Sequence, residues 1–409
     1  MRRGASWLLG GALLFAAPAH AQTAPAFGEL LVQAQSSSPR LSASGAEIEA
    51  ARGQADQASA RPNPTLRTEV ENFAGQRPFQ GWDRSETTIA VEQSLELGGK
   101  RPARVAAARA DVTTAEARAH QARINFAHEL AVAYATAEAS AARVSVTIDA
   151  LDLAESDARV ARLLVENGRE ARVRSLQAVS AVTSARADLA SARAEAEAAL
   201  ARLSALSAAQ VPFTAVAGGL LDATLPLPGD TDRESPSVQL ARAERDAALR
   251  RTESERRRGV PDLTVSLGAR RLEEEDATAM VAGLSVPLPF FDRNRGNVAT
   301  ASANARAAES RLAEAASLAE ADRLSARSRA RAADETAVAA REGQDVAAEA
   351  YRLARIGYES GKMPLSEVLA ARRTLIEARS RAVDARLARV QAMAEFARVQ
   401  GLTLAGELR

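Results

Sequence analysis

The side chains best suited to chemistry are scarce in this sequence and do not converge on one point. The chain has no cysteine and three histidines, so thiolate nucleophiles, disulfides and thiolate metal sites are excluded. His120 and His128 lie about 12 Å apart along a predicted helix and cannot bind one ion together. No nucleophile has a base and an orienting group at a suitable spacing. We therefore predict no catalytic residue, no metal site and no cofactor, and we do not expect an enzyme.

The charge pattern gives no sign of a nucleic-acid partner. The formal net charge is +1, without a basic footprint. An acidic run at residues 273–276 falls in a predicted turn, where it can hold a divalent cation; a solvated acidic loop is the alternative. Aromatic residues are 3% and charged residues 26% of the chain. This composition is typical of long alanine-rich helices rather than of a compact enzyme core.

The N-terminus has the features of an export signal. Residues 1–3 are basic, an apolar run follows at residues 7–17, and residues 19–21 read Ala-His-Ala. The run is too short to span a bilayer as a helix. We predict a signal peptide at 1–21, with a retained anchor as the alternative. No later stretch has the ~18–20 consecutive apolar residues of a transmembrane helix.

The rest of the sequence contains one unit written twice. Arg61-Pro-Asn-Pro-Thr-Leu66 matches Arg258-Gly-Val-Pro-Asp-Leu263, and Glu166-Asn-Gly-Arg169 matches Glu359-Ser-Gly-Lys362. The nearly constant offset between these pairs indicates a tandem duplication. Each unit is predicted to run helix, strand, strand, long helix, helix. The predicted regions are a first repeat at 22–207, a proline- and glycine-rich linker at 208–234, and a second repeat at 235–409.

Each repeat is dominated by a very long helix, predicted at about 101–165 and 296–358. At ~1.5 Å per residue such a helix is a rod of roughly 95 Å. Heptad spacing in the helix that follows, as in Val182, Leu189, Ala196 and Leu203, predicts coiled-coil packing. The remaining helices are predicted near 41–60, 172–207, 235–258 and 364–401. The first of these is expected to start at Ser42 or Ser44, and the third at Ser235 before Pro236.

Four strands of about ten residues are predicted at 64–73, 86–97, 261–271 and 277–288. Their apolar and polar residues alternate, as in the wall of a membrane barrel with lipid outside and water inside. A soluble hairpin with one buried face is the alternative for each strand alone. Two hairpins cannot build a sheet core, and four strands cannot close a barrel without open edges. Three copies give twelve strands, enough to enclose an aqueous pore.

Two strand-to-helix junctions resemble a known family. They are Gln93-Ser-Leu-Glu-Leu-Gly-Gly-Lys-Arg-Pro-Ala-Arg104 and Val286-Pro-Leu-Pro-Phe-Phe-Asp-Arg-Asn-Arg-Gly-Asn297. Both resemble the junctions of TolC-family outer-membrane efflux proteins, and more narrowly the CzcC-like heavy-metal branch. The resemblance covers nearly the whole mature chain. It implies a mainly α protein with a small β part, forming a trimeric 12-stranded outer-membrane barrel continued by a periplasmic α-helical coiled-coil barrel.

The same resemblance implies an export function. It indicates the passive duct of a tripartite efflux system in the cell outer membrane, exporting substrates delivered by an inner-membrane RND pump through a periplasmic adaptor. Divalent heavy-metal cations are the expected substrates, with drugs or other small molecules as the alternative. The implied partners are two further copies of the chain, the adaptor, the pump and outer-membrane lipid. A periplasmic adaptor or coiled-coil scaffold is the alternative.

The resemblance also assigns roles to particular residues. A periplasmic entrance gate is expected at Glu367, Arg174 and Tyr358, where Arg174 replaces the acidic residue often found there and can pair with Glu367. Adaptor docking is expected at the tip turns, with Gly168, Arg169, Gly361 and Lys362. Residues near the membrane junction are Gly98, Gly99, Lys100, Arg101, Arg295 and Gly296.

The junctions have physical requirements of their own. Gly98 and Gly99 allow the backbone angles needed where a strand becomes a helix. Lys100, Arg101 and Arg104 lie in a first helical turn, where the helix dipole disfavours cations. Lipid phosphate head groups are a candidate partner, and solvated charge is the alternative. In the second repeat, Asp292, Asn294 or Asn297 can cap the helix, and Phe290 and Phe291 are either interfacial anchors or simple packing residues.

Overall fold

The computed structural model describes residues 22–224 and 233–405. The predicted signal peptide, residues 225–232 of the predicted linker and residues 406–409 lie outside the described residues. None of the described helices has a segment apolar enough to cross a bilayer. In chain order the elements are β1 Gln22–Ala24, α1 Phe27–Ser37, α2 Pro39–Ser59, β2 Thr65–Glu71, β3 Glu86–Leu95, α3 Lys100–Glu166, α4 Arg172–Leu206, β4 Phe213–Val216, α5 Pro236–Arg258, β5 Leu263–Leu272, β6 Ala277–Ser285, α6 Arg295–Glu359 and α7 Leu365–Val399.

Three of these elements have no counterpart in the sequence prediction. Helix α1 buries one apolar face, which includes Leu30 and Leu31. Strands β1 and β4 pair in parallel, with Ala24 opposite Val216. Strand β4 lies inside the segment 208–234 that was expected to be linker. Strands of three and four residues are too short to show a periodic pattern in the sequence.

The prediction that the helix near 41–60 starts at Ser42 or Ser44 is wrong. Helix α2 begins at Pro39, with Ser38 in the N-cap position, and the Ser42 N–H already donates to the Ser38 carbonyl at 3.0 Å. Ser44 Oγ donates to the Arg40 carbonyl within the helix. Proline suits the first helical position because the N–H it lacks would be unpaired there. The same Ser-Pro start occurs at Ser235, where it was predicted.

The described residues form two compact units, and neither unit corresponds to one sequence repeat. The first unit comprises residues 22–37, 130–224 and 337–390. The second comprises residues 38–129, 233–336 and 391–405. Helices α3, α6 and α7 contribute residues to both units, so each unit contains parts of both repeats.

Half of the residues in the main core cluster of the first unit are alanines. Helices α3, α4, α6 and α7 meet around a cluster that includes Ala161, Ala178 and Ala347, with Leu365 and Val368 filling the space between them. Alanine leaves helix axes close together because the interaxial distance depends on the side chains at the contact. The heptad pattern of the sequence therefore corresponds to real helix packing in this unit.

The segment between the repeats is fastened to α3 within the first unit. Glu138 accepts hydrogen bonds from the N–H groups of Gly219, Leu220 and Leu221 at 2.8, 3.0 and 3.2 Å. The Gly218 N–H donates to the Tyr134 hydroxyl at 3.2 Å, and the Tyr134 ring packs edge-on against Phe27. One carboxylate that accepts three backbone donors is a strong, charge-assisted anchor.

The second unit contains the main sheet and its own helical core. A buried cluster joins α6 to α7 through Ala326, Ala330, Met393 and Phe396. A second, smaller cluster joins α5 to α6 through Ala248, Ala305 and Ala308. These helices support a four-stranded antiparallel sheet in the order β2-β3-β5-β6.

The Glu138 anchor gives a testable expectation. Glu138→Gln keeps the side-chain volume but removes the negative charge and one acceptor oxygen, so we expect faster amide exchange at residues 219–221 by about tenfold, which corresponds to roughly 1.4 kcal/mol. Glu129→Gln is the matched control because Glu129 makes an exposed ion pair with Arg40. Equal exchange rates in both variants would show that the carboxylate does not hold this segment.

Candidate channel wall, membrane junction and helical tip

One face of the four-stranded sheet is apolar across all four strands. Several large side chains on this face, including Leu66, Ile89 and Met280, are more than half exposed. No described element of the chain therefore covers this face. The interpretation as a soluble hairpin with its apolar face buried in the chain does not fit. Two register-paired rows cross the face, Leu66–Val91–Leu267–Ala282 and Thr68–Ile89–Ala269–Met280.

The opposite face of the same sheet is polar and cross-linked by ion pairs. Arg270 on β5 pairs with Glu86 at 2.8 Å and with Glu71 at 3.1 Å, and its Nε donates to Thr88 Oγ1. Arg67 pairs with Glu92 across the β2–β3 hairpin at 3.4 Å. Strand geometry places alternate residues on opposite faces, so the sequence alternation becomes one apolar wall and one hydrated wall.

The sheet has two open edges in a single chain. Strands β2 and β6 each have one hydrogen-bonded neighbour among the described residues. Each outer edge therefore presents a row of backbone N–H and C=O groups without partners from the sheet. Four strands joined in this way form an open sheet and not a closed barrel.

The first-repeat junction depends on two glycines and on protein partners for its cations. Gly98 and Gly99 have φ angles of +66° and +76°, and a Cβ on Gly98 would lie 2.7 Å from Val260 Cγ1. Lys100 Nζ lies 2.8 Å from Asp262 Oδ1. Arg101 Nε donates to the Ser59 carbonyl at 2.7 Å.

Arg104 completes this arrangement at the end of α2. Its guanidinium donates to the carbonyls of Ala58 and Ala60 and pairs with Glu96. Cations at the C-terminal end of a helix interact favourably with its dipole, so α2 offsets the unfavourable dipole of α3. Neither lipid head groups nor solvent alone is needed to explain these three cations.

At the second-repeat junction the amide side chain of Asn294 takes the place that arginines have at the first. Asn294 has φ +58°, and its carbonyl accepts from the Val298 N–H at the start of α6. Its Nδ2 donates to the carbonyl and to the carboxylate of Glu255 at 2.7 and 2.9 Å. This hydrogen bond lowers the pKa of Glu255. Asp292 Oδ1 accepts from the Asn294 N–H, and Arg295 and Gly296 begin the helix.

The two tip turns have the same hydrogen-bond pattern. Gly168 and Gly361 both take positive φ, +67° and +73°. The Arg169 N–H donates to the Leu164 carbonyl, and the Lys362 N–H donates to the Gly357 carbonyl, each at 2.8 Å. This is a Schellman-type helix end, for which glycine has no steric penalty. The side chains of Arg169 and Lys362 follow the glycines at equivalent positions of the two repeats.

The three expected gate residues lie in the first unit but do not bond to one another. Arg174 Nη1 donates to Gln177 Oε1 at 3.2 Å, and among the described residues it forms no ion pair with Glu367. Glu367 lies in the first turn of α7, where the helix dipole favours a carboxylate. Tyr358 is buried in the helical core, its hydroxyl has no hydrogen-bond partner within residues 22–224 and 233–405, and burial raises its pKa.

The structure adds a buried carboxylate that sequence reasoning missed. Asp157 on α3 is 6% exposed; Arg372 Nη1 on α7 donates to its Oδ2 at 2.8 Å and Tyr351 OH on α6 to its Oδ1 at 3.5 Å. Burial raises the pKa of Asp157, while the nearby guanidiniums of Arg372 and Arg355 oppose that rise. The three residues come from distant segments, so no local motif indicated them.

The remaining chemical candidates are explained by protein contacts. Two carboxylates of the acidic turn, Glu274 and Asp276, pair with Arg84 and Arg271. His128 Nε2 lies 3.7 Å from Glu395 Oε2, and burial lowers the pKa of His120. Among residues 22–224 and 233–405, no group of three or more metal-binding side chains converges.

The sequence profile of a family described as "Outer membrane efflux protein" matches residues 30–209 and 227–402. The chain belongs to the outer membrane efflux protein family. The two matched segments correspond to the two tandem repeats, so the recognition as a TolC-family protein made from the junction motifs is confirmed.

Individual relatives of this efflux protein support the same branch. It is 40% identical over 397 residues to the nickel-cobalt-cadmium resistance protein NccC of Alcaligenes xylosoxydans xylosoxydans, covering 96% of this chain and 91% of that protein. It is 33% identical over 357 residues to the cobalt-zinc-cadmium resistance protein CzcC of Cupriavidus metallidurans, covering 83% and 81%. The fold is similar to that of the Campylobacter jejuni CmeC outer membrane channel, with a TM-score of 0.79 at 15% identity over 93% and 86% of the two chains.

The close approach of Gly98 to Val260 predicts that a side chain at position 98 destabilises this efflux protein. Gly98→Ala introduces a Cβ against Val260 at a positive φ, so we expect a loss of about 1–3 kcal/mol in stability, seen as a lower melting temperature. Gly296→Ala is the matched control because its Cβ would meet no atom within 4 Å at the start of a helix. The control is expected to be neutral or slightly stabilising. A Gly98→Ala protein that melts with the wild type contradicts the contact.

The raised pKa of Asp157 predicts a pH effect. A folded-state pKa above the unfolded value contributes stability that is present at low pH and is lost as pH rises through the folded pKa. Lowering the pH from neutral towards this range should therefore raise the melting temperature of the wild type more than that of Asp157→Asn. Asp149→Asn, which alters an exposed pair with Arg379 on the same two helices, is the control. Parallel pH profiles for the wild type and Asp157→Asn would reject the effect.

Proposed function

We propose that this chain is the outer-membrane duct of a tripartite heavy-metal efflux system. The observation that carries the proposal is the sheet with an exposed apolar face, a charged opposite face and two open edges. In hydrocarbon, unpaired backbone groups cost several kcal/mol each. Copies of the same chain can pair β6 of one with β2 of the next, and three copies give a closed twelve-stranded wall around water.

The helices of the first unit support the same assembly. Apolar side chains remain exposed along α4 and α6. Soluble helices that present such rows normally cover them with a partner. Neighbouring copies packed side by side would bury them and continue the duct as an α-helical barrel in the periplasm. The exposed residues are Val173, Leu176 and Val179 on α4 and Val346, Leu353 and Ile356 on α6.

The substrate proposal rests on relatedness. NccC and CzcC are named for resistance to nickel, cobalt, cadmium and zinc, which supports divalent heavy-metal cations for this chain. The duct is passive, and an inner-membrane RND pump supplies the energy through a periplasmic adaptor. An adaptor or coiled-coil scaffold role for the chain itself is less well supported, because neither needs an exposed apolar sheet face.

The tip of the helices is proposed as the periplasmic entrance. Three copies of Glu367 would form a ring of carboxylates that favours cations, with Arg174 and Tyr358 beside it. The ties from Asp157 to Arg372 and Tyr351 would hold α3, α6 and α7 together at this end. The rigid turns would present Gly168, Arg169, Gly361 and Lys362 to the adaptor. Gly98, Gly99, Lys100, Arg101, Arg295 and Gly296 would lie at the periplasmic side of the membrane.

Fractionation with crosslinking and conductance tests the duct. The mature protein should be recovered in the outer membrane, should crosslink as a trimer and should form ion-conducting pores in planar bilayers. Deleting the gene that encodes this protein should lower the resistance of the cells to nickel, cobalt or cadmium salts, and returning the wild-type gene should restore that resistance. Recovery as a soluble monomer without detergent would refute the duct.

The entrance ring gives a separate prediction. Glu367→Gln removes three negative charges per trimer, so we expect reduced cation selectivity and a change of about two- to fivefold in cation conductance at low salt. Arg174→Gln should change conductance in the opposite direction. Glu359→Gln, at an exposed ion pair with Arg355, is the control. Unchanged conductance in both Glu367→Gln and Arg174→Gln would remove these residues from the gate.

A further inference from the structure

Beyond β6 the chain leaves two aromatic rings unburied. Phe290 is mostly exposed and Phe291 fully exposed, although both are large apolar residues of a folded unit. They follow Pro287 and Pro289, which lack the N–H group needed to extend the ladder beyond the end of β6 at Ser285. Phe291 lines a groove of about 630 Å³ whose other wall includes Arg258 and Lys100. Exposed apolar rings beside cations are a pattern of membrane interfaces.

The last turn of α5 adds an excess of positive charge beside this groove. Arg256, Arg257 and Arg258 are consecutive and exposed. They share two carboxylates, with Arg257 2.6 Å and Arg256 3.8 Å from Glu253, and Arg258 2.9 Å from Glu255. Three guanidiniums with two carboxylates leave one positive charge, and the exposed pairs are weak.

Two other arginines of the junction donate to neutral carbonyl groups, which do not offset their positive charge. Arg293 Nε donates to the Pro289 carbonyl at 3.2 Å, and Arg101 Nε donates to the Ser59 carbonyl. Lys100 is neutralised by Asp262, and Asp262 and Asp292 both line the groove. Around the groove, the positive charges of these arginines and of the three arginines of α5 therefore outnumber the negative charges of Glu253, Glu255 and Asp292.

We propose that a collar formed by Arg256, Arg257, Arg258, Arg293, Phe290 and Phe291 binds the anionic phospholipids of the periplasm-facing leaflet. This inference rests on the proposed function, which puts the apolar sheet face in lipid. Guanidinium groups bind phosphate oxygens in a bidentate manner, and aromatic rings lie at the head-group level. The collar residues flank the second hairpin of the apolar wall in the chain, with Arg256–Arg258 before β5 and Phe290, Phe291 and Arg293 after β6, where head groups would replace hydrocarbon.

A charge test uses the purified mature protein in nanodiscs. Native mass spectrometry compares bound phosphatidylglycerol with phosphatidylethanolamine for the wild type and for a variant with Arg256→Gln, Arg257→Gln and Arg258→Gln. We expect a several-fold loss of the phosphatidylglycerol preference in the variant, and loss of the wild-type preference at high salt. The matched control replaces three exposed arginines of α6 that lie away from the collar, Arg306, Arg311 and Arg331, by Gln and should keep the preference.

A second experiment reports on the rings without relying on charge. Phe291→Trp in a Trp82→Phe background makes residue 291 the one tryptophan of the mature sequence. Its fluorescence should be strongly quenched in bilayers of phosphatidylglycerol brominated near the head group. A fluorescence insensitive to brominated lipid would mean that a second copy of the chain or solvent occupies the site, and would overturn the proposal.

The outcomes separate this inference from the duct itself. If the wild type forms pores but shows no preference for phosphatidylglycerol, or if the collar and control variants behave alike, the collar fails and the duct stands. If the wild type neither inserts into bilayers nor conducts, the proposed function fails first. Pores formed by the collar variant with normal conductance would show that its altered lipid binding is not a folding defect.

Discussion

The pairing of backbone groups at the two edges of the four-stranded sheet constrains everything else in this protein. A single chain has an apolar face exposed on one side of that sheet and ion-paired residues on the other. Among the described residues no element covers this face or pairs with the outer edges, and unpaired backbone groups are costly in lipid. Under the proposed function, assembly with identical copies would satisfy both at once, because it would bury the edges and give lipid and water a side each.

The helical part meets a different constraint, which is close approach of long helices. Alanines make up half of the main core cluster of the first unit, so the packing energy per residue is small there and many contacts are needed. Into this core the chain places Asp157, a charged group whose burial is offset by Arg372 and Tyr351. A buried pair of this kind contributes little net stability, but its contacts join α3 to α6 and α7 at defined positions.

The duplicated unit is used differently in its two copies. The tip turns are alike to the level of individual hydrogen bonds, since both need a glycine in the left-handed region. The junctions differ, because arginines cap α2 in the first repeat while Asn294 caps α5 in the second. The arrangement in the second repeat leaves the arginines at the end of α5 and the rings of Phe290 and Phe291 exposed at the surface.

The sequence by itself determined the elements whose pattern is local. The repeats, the long helices, the four alternating strands and the glycine turns were all predictable, because periodicity and backbone requirements are written in neighbouring residues. Tertiary structure decided what depends on distant segments. It paired β1 with β4, joined the two hairpins through β3 and β5, and brought Asp157 to Arg372. It also gave Lys100 and Arg101 their partners, because residues far apart in sequence become neighbours only after the chain folds.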